Sequence, residues 1–149
     1  MPSTASGAQV VSAAHFVIKI DNTEVASFSE LSGINSEVEA VEYISADANG
    51  RVNHSKQFGK VKPPKVTLKR GLDGSKAIWA WHQAVLEGDP GALRTCALQL
   101  ISAGGGIQIT YVLEDAWPAK VDIARAKAGA SDVIMETVEM VCSQIIMQS

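Results

Sequence analysis

Thr67-Leu-Lys-Arg-Gly71 and, six residues further on, Ile78-Trp-Ala-Trp-His-Gln83 decide how this chain folds. The first closes the run Lys65-Val-Thr-Leu-Lys69, in which Val66 and Leu68 share one face and polar residues the other. That period of two marks a half-buried strand, ended here by Gly71. The second stretch changes the period. Ala77, Ile78, Trp81, Ala84 and Val85 recur at three- and four-residue steps, which puts them on one side of an α-helix. Trp79, His82 and Leu86 form a second stripe beside the first. Asp73 or Ser75 stands where a cap is wanted, and Gly88 and Pro90 supply the stop. A short helix that is apolar on two sides must be clamped to other elements, because burying each large apolar side chain contributes roughly 1.5–3 kcal/mol. Trp79 and Trp81 are expected to hold it to a sheet, with His82 packed beside them.

Outward from this centre the chain reads as strands. Phe16, Ile18 and Ile20 alternate, Asp21-Asn22 is a turn signal, and Glu24-Val-Ala-Ser-Phe28 returns. Ser32-Gly33 is a break. Glu37 to Tyr43 is strand-like with a switch of parity that predicts a bulge near Ala40. Residues 45–64 are polar and basic, with Gly50, Gly59 and Pro63-Pro64, and read as a long exposed hairpin or loop. Cys96 to Ile101, Gly104-Gly-Gly106 and Ile107 to Leu113 spell a hairpin, whose second arm Ala116-Trp117-Pro118 ends. Residues 122–130 read as loop. Asp132 to Gln148 reads as one long strand with Ile134, Val138, Met140 and Cys142 on one face, running apolar through Ile145, Ile146 and Met147. An end that apolar needs cover, which a neighbouring subunit could give. Residues 1–14 read as a flexible arm and 15–149 as a single domain containing the long loop 45–64.

Charge is distributed unevenly. From Asp21 to Asp47 there are seven acids and no base; from Arg51 to Lys76 there are eight bases and one acid. Either these neutralise one another within the fold, or the subunit has one acidic and one basic surface and meets copies of itself head to tail. On the second reading Glu37, Glu39 and Glu42 on one side, and Arg51, Lys56, Lys60 and Lys62 on the other, are interface candidates, with Ile145, Ile146 and Met147.

Chemistry is sparse. His15, His54 and His82 have no metal-ligand partner at helical or hairpin spacing, and neither a nucleophile elbow nor a phosphate loop is present. Cys96 and Cys142 read as small buried hydrophobes. Phe58 alone interleaves the basic residues of 51–70, too few aromatics for a nucleic-acid platform. Neither a signal peptide nor a stretch of ~20 apolar residues is visible, so stable membrane anchoring is not expected. The expectation is a non-enzyme without cofactors or metals; a β-barrel-like module binding a small ligand or peptide is an alternative.

Seven pieces in order carry a resemblance: Phe16-Val-Ile-Lys-Ile-Asp21, Phe28-Ser-Glu-Leu-Ser-Gly33, Glu42-Tyr43, Val66-Thr-Leu-Lys-Arg-Gly71, Trp79-Ala-Trp-His-Gln83, Ala116-Trp-Pro-Ala-Lys120 and Glu136-Thr-Val-Glu-Met140. With these the chain resembles the inner tube proteins of contractile phage tails and extracellular contractile injection systems. The resemblance covers residues 16–147. It implies a mainly β fold of two packed antiparallel sheets, sandwich- or barrel-like, with one flanking helix. Arg70, Gly71, Trp79, Trp81, His82, Trp117 and Pro118 would then mark the fold. It also implies six subunits closing into rings that stack around a lumen, with sheath, baseplate and cap proteins as partners and cargo travelling inside. A sister role, starting the tube at the baseplate, stays open. Such a subunit would be made in the bacterial cytoplasm and carried in an assembled particle, with lysis as one route of release.

Overall fold

In the computed structural model, which describes residues 10–124, 129 and 133–148, alternating sequence becomes antiparallel sheet. β1 (His15–Ile20) turns at Asp21 and Asn22 into β2 (Thr23–Phe28). Both turn residues have positive φ, 52° and 64°, a conformation that Asp and Asn tolerate and that matches the twist of a two-residue hairpin. β3 (Glu30–Ala46) and β4 (Val52–Gly71) form a very long second hairpin. Then come α1 (Ala77–Leu86), a 3-10 turn at Pro90–Ala92, β5 (Arg94–Ile101), β6 (Ile107–Ile123), β7 (Met135–Val141) and β8 (Gln144–Gln148).

The hydrogen-bonded order is β2-β1-β5-β6-β7-β4-β3, with β8 beside β6. Every pairing is antiparallel. The fold is therefore mainly β with one helix, in two halves that share β6. The path also bends back on itself. Its end strands, β2 and β3, are joined in sequence through Ser29 alone, whose N–H donates to the Lys69 carbonyl at 3.0 Å. Between the halves lie Ile18, Phe28, Val66, Leu68, Leu98, Leu113, Val138 and Met140, all buried. The expected inward face of the last segment holds here, since Val138, Met140 and Cys142 are in this core. Cys96 and Cys142 are free and buried, as their apolar surroundings suggested.

Several boundaries differ from the expectation. Of the two readings of residues 45–64, hairpin or loop, the hairpin holds and the long loop does not: only 47–51 turn, and β4 runs from Val52 through Pro63 and Pro64. With both faces of this hairpin exposed, no apolar alternation was there to reveal a strand. Ser32-Gly33 is a register shift inside β3 and not a break; the bulge near Ala40 is present, between Val38 and Ala40. β6 does not stop at 116–118. It pivots at Asp115 (φ 49°) and continues to Ile123, leaving β5 for β7. The final segment is two strands, because the chain turns at Cys142-Ser143 and β8 then pairs with the first half of β6. Of the expected loop 122–130, residues 122 and 123 are strand; 125–128 and 130, like residues 1–9 of the expected arm, lie outside the described residues.

Candidate assembly surface

The helix seam shows what fixes the scaffold. Neither expected cap is used: Lys76 occupies the N-cap position without a side-chain bond. Asp73 Oδ1 instead accepts from the Ser75 N–H at 2.8 Å, a turn that redirects the chain out of β4. Ile78 and His82 are the buried residues of α1. His82 Nδ1 donates to the Pro118 carbonyl at 2.7 Å. The reason lies in β6. β5 leaves β6 at Ala116, so beyond it one edge of β6 has no ladder partner among the described residues. Pro118 has no N–H to leave unpaired there, and its carbonyl is taken by His82. Trp81 donates from Nε1 to the Ala92 carbonyl at 2.6 Å, tying the helix to the 3-10 turn. Trp79 departs from the expectation. It is 47% exposed, with its ring 5.8 Å from that of His82, so it does not clamp the helix. Leu86 is exposed as well.

Behind the helix lies a buried ion pair. Arg70 Nε donates to Glu136 Oε1 at 2.7 Å, the two residues being 5% and 3% exposed. The Arg70 guanidinium also stands 5.1 Å from the centre of the Phe28 ring. Gly71, next in sequence, leaves room for the Val133 side chain, whose Cγ1 would lie 3.2 Å from an added Cβ. Trp117 is half-buried and Pro118 fully buried.

The outer part of the β3–β4 hairpin is a different kind of surface. From residue 35 to 61 nearly every position is exposed, yet Val38, Val41, Tyr43, Ile44, Val52, Phe58 and Val61 are apolar. Phe58 is 95% exposed. The hairpin is held by backbone pairing and by a tight crossing at Gly59, where a Cβ would meet Val41 Cγ2 at 2.5 Å and the Glu39 carbonyl at 3.0 Å. A side chain at 59 would have to displace the Val41 methyl and would press on the Glu39 carbonyl, which favours glycine there. At the tip, Asp47 Oδ1 accepts from the N–H groups of Asn49 and Arg51, both at 2.9 Å, and Gly50 takes a φ of 79°.

The charged candidates meet on this hairpin. Glu30 pairs in register with Lys69, Glu37 with Lys62 and Glu42 with Lys56. Lys62 Nζ lies 3.4 Å from Glu37 Oε1, and His54 Nδ1 lies 2.8 Å from Glu42 Oε1. The acidic and basic stretches thus lie on neighbouring strands of one hairpin, where Glu37 and Glu42 each have a basic partner from the other arm. Each exposed pair contributes only about 0–1 kcal/mol. Arg51, Lys56, Lys60 and Glu39 make no ion pair among the described residues. At the other end of the chain, Ile145 is partly buried against the core, while Ile146 and Met147 of β8 are exposed.

Catalytic material is thin among the described residues. No three His, Cys, Asp or Glu side chains gather to hold a metal. Burial pushes the Cys96 thiol up to about 12 and the Cys142 thiol up to about 11, so neither is a nucleophile at neutral pH. No helix among them is long and apolar enough to cross a membrane. Sequence reasoning did not single out Val52 and Phe58 as apolar surface, because it read 45–64 by its polar and basic residues, and it passed over Ile44 just before that segment.

A family model described as T4-like virus tail tube protein gp19 matches residues 12–145. A comparison with curated proteins found no match. Among solved structures, the chain is similar to one from the extended sheath-tube complex of an extracellular contractile injection system, PVC. The TM-score is 0.75 and the identity 18%, over 99% of both chains. A chain of the anti-feeding prophage cap, the AFP tube terminating cap, gives a TM-score of 0.74 at 18% identity over 99% of this chain and 96% of that one. Hcp1 from Flavobacterium johnsoniae gives 0.50 at 11% identity over 89% and 93%. At these identities the likeness is one of fold.

Proposed function

The chain belongs to the T4-like virus tail tube protein family, and we propose that it is a non-catalytic inner-tube subunit that closes with copies of itself into six-membered rings stacked around a lumen. The observation that carries this reading beyond family membership is the β3–β4 hairpin. It projects exposed apolar side chains from both arms, uncovered by any of the described residues. Exposed apolar surface on that scale marks a site of association. Ile146 and Met147 on β8 extend the apolar surface to a second region. Repetition of one heterologous contact closes into a ring when its rotation permits.

The interface candidates are then Val38, Tyr43, Ile44, Val52 and Phe58, with Glu37, Glu39, Glu42, Arg51, Lys56, Lys60 and Lys62 as the polar rim. Glu37 pairs with Lys62 and Glu42 with His54 inside the hairpin, which leaves Glu39, Arg51, Lys56 and Lys60 as the charges available to a neighbouring copy. Sheath, cap and baseplate proteins are the partners that suit an inner tube, and proteins carried in the lumen are the cargo. The test is negative-stain microscopy of the purified chain across a concentration series. Rings or tubes are expected. A monodisperse monomer at high concentration, with and without sheath and baseplate partners, overturns the reading.

A further inference from the structure

We infer that Asn49, at the tip of the β3–β4 hairpin, is a site of spontaneous deamidation, and that Asp47 is the residue that holds the reaction back. Neither role depends on self-assembly. Asparagine is a chemically labile side chain, and the residue after it decides how readily it reacts. The reaction joins the backbone nitrogen of that next residue to the asparagine Cγ. The nitrogen gives up its proton, the C–N bond of the side-chain amide breaks, and ammonia leaves, which closes an imide ring. Water then opens the ring at either of its carbonyls. One opening yields aspartate. The other yields isoaspartate, in which the main chain runs through the side-chain carbon. No oxidant or enzyme is needed.

Of the four asparagines, Asn22, Asn35, Asn49 and Asn53, Asn49 alone is followed by glycine. Glycine has no Cβ to obstruct ring closure. Asn22 is followed by Thr23, whose branched Cβ crowds the attacking nitrogen. Asn35 and Asn53 are registered in the β3–β4 ladder, opposite Lys65 and Ser45. Asn49 and Gly50 are exposed, and apart from its chain neighbours nothing lies within 4 Å of where a Gly50 Cβ would stand, so water and the closing ring have room.

The same tip restrains the reaction. The Gly50 N–H, the group that must be freed, donates to the Asp47 carbonyl at 3.0 Å. Asp47 Oδ1 accepts from the N–H groups of Asn49 and Arg51, both at 2.9 Å, and the Asp47 N–H donates to the Arg51 carbonyl at 2.9 Å. Four bonds to one residue thus fix the backbone on both sides of the reacting pair. Attack has to wait for the turn to open, so the rate follows the open population. The product then remakes the tip. Aspartate adds a negative charge two residues from Arg51. Isoaspartate lengthens the main chain before Gly50 by one carbon, which shifts the Gly50 and Arg51 N–H groups away from Asp47.

The test is peptide mapping of the purified full-length chain, incubated at neutral and mildly alkaline pH, with tandem mass spectrometry placing each conversion of amide to acid. Conversion at Asn49 is expected ahead of the other three asparagines, faster at the higher pH, and split between aspartate and isoaspartate. Asp47→Ala removes the two bonds to the carboxylate and should speed conversion in the folded subunit about fivefold or more. Asp47→Ser, whose hydroxyl can accept in the same turn, should fall between. In synthetic peptides spanning 44–54 the same substitutions should leave the rate nearly unchanged, because a short hairpin peptide does not hold the turn. Equal rates in wild-type and Asp47→Ala subunits that unfold at the same urea concentration would overturn the inference. So would conversion spread evenly over the four asparagines, no product at Asn49 in either subunit, or an equal acceleration in the peptides.

Discussion

Arg70→Met leaves Glu136 buried without its cation, and the consequence can be worked from the geometry. Both side chains are nearly inaccessible, 6% and 4% exposed, and joined at 2.7 Å. Removing one partner of such a pair costs about 3–5 kcal/mol, because the remaining charge has neither water nor counter-charge. Asp73 offers no rescue, since it is an acid and lies 3.9 Å from Arg70. The substitution also removes the guanidinium from the Phe28 ring, worth up to about 2 kcal/mol when desolvated. For a chain of this length the pair term alone corresponds to a fall in Tm of roughly 6–20 °C. The double variant Arg70→Met/Glu136→Leu is the informative control. Replacing both charges with apolar groups removes the unpaired carboxylate, and such swaps are often neutral or stabilising by about 1–4 kcal/mol. It should therefore recover most of the loss, apart from the cation–π share. The assay is urea unfolding of the unassembled subunit, followed by tryptophan fluorescence and far-UV circular dichroism. A single variant within about 1 kcal/mol of wild type, or a double variant no better than the single, would refute the view that this pair is buried and mutually dependent.

Other outcomes follow from the same geometry. Trp81→Ala should destabilise by about 3 kcal/mol or more, through lost packing and the lost bond to Ala92, while Trp79→Ala should cost under about 1 kcal/mol in the free subunit; equal effects in denaturation would contradict the assignment of Trp81 as the clamp. Gly59→Val should break the crossing with Val41 and Glu39, giving new protease cleavage within 36–62 and loss of assembly while the core keeps its amide protection in hydrogen exchange; an intact hairpin would show the crossing is looser than described. Both thiols have folded pKa values raised above the ordinary 9.0, to about 12 and 11, by burial. A raised pKa favours the protonated folded form, so the stability it contributes is complete below pH 9 and falls between pH 9 and 12 as the unfolded chain ionises. Cys96→Ala/Cys142→Ala should flatten that alkaline decline, measured by unfolding at several pH values; an unchanged profile would exclude the thiols as its cause.

What could be read in the sequence depended on whether a segment had two unlike faces. α1 showed itself in the spacing of Ile78, Trp81 and Val85, β1 in the alternation of Phe16, Ile18 and Ile20, β2 in the turn signal before it, and β5 in the hairpin pattern around Gly104 to Gly106. The bulge at Ala40 was visible as a switch of parity, although both of its neighbouring faces are exposed. The outer hairpin was not legible as strand, because its pairing is backbone to backbone and solvent lies on both sides. The pivot at Asp115 was hidden too, since an aspartate with positive φ resembles any other aspartate in sequence. The split at Cys142-Ser143 was obscured by apolar residues on both sides of the turn, where β7 and β8 serve different parts of β6. Trp79 was misjudged because helical spacing tells which residues share a stripe and not which stripe is covered. Charge runs were plain in sequence, but which charges pair needed the register that puts Glu37 opposite Lys62.

Imaging the purified wild-type chain by electron microscopy, with class averages along the ring axis, tests the central claim most directly. Six-fold rings with an open lumen, stacking into tubes as concentration rises, are the predicted result. A single folded monomer at every concentration, unchanged when sheath and baseplate proteins are added, would contradict it.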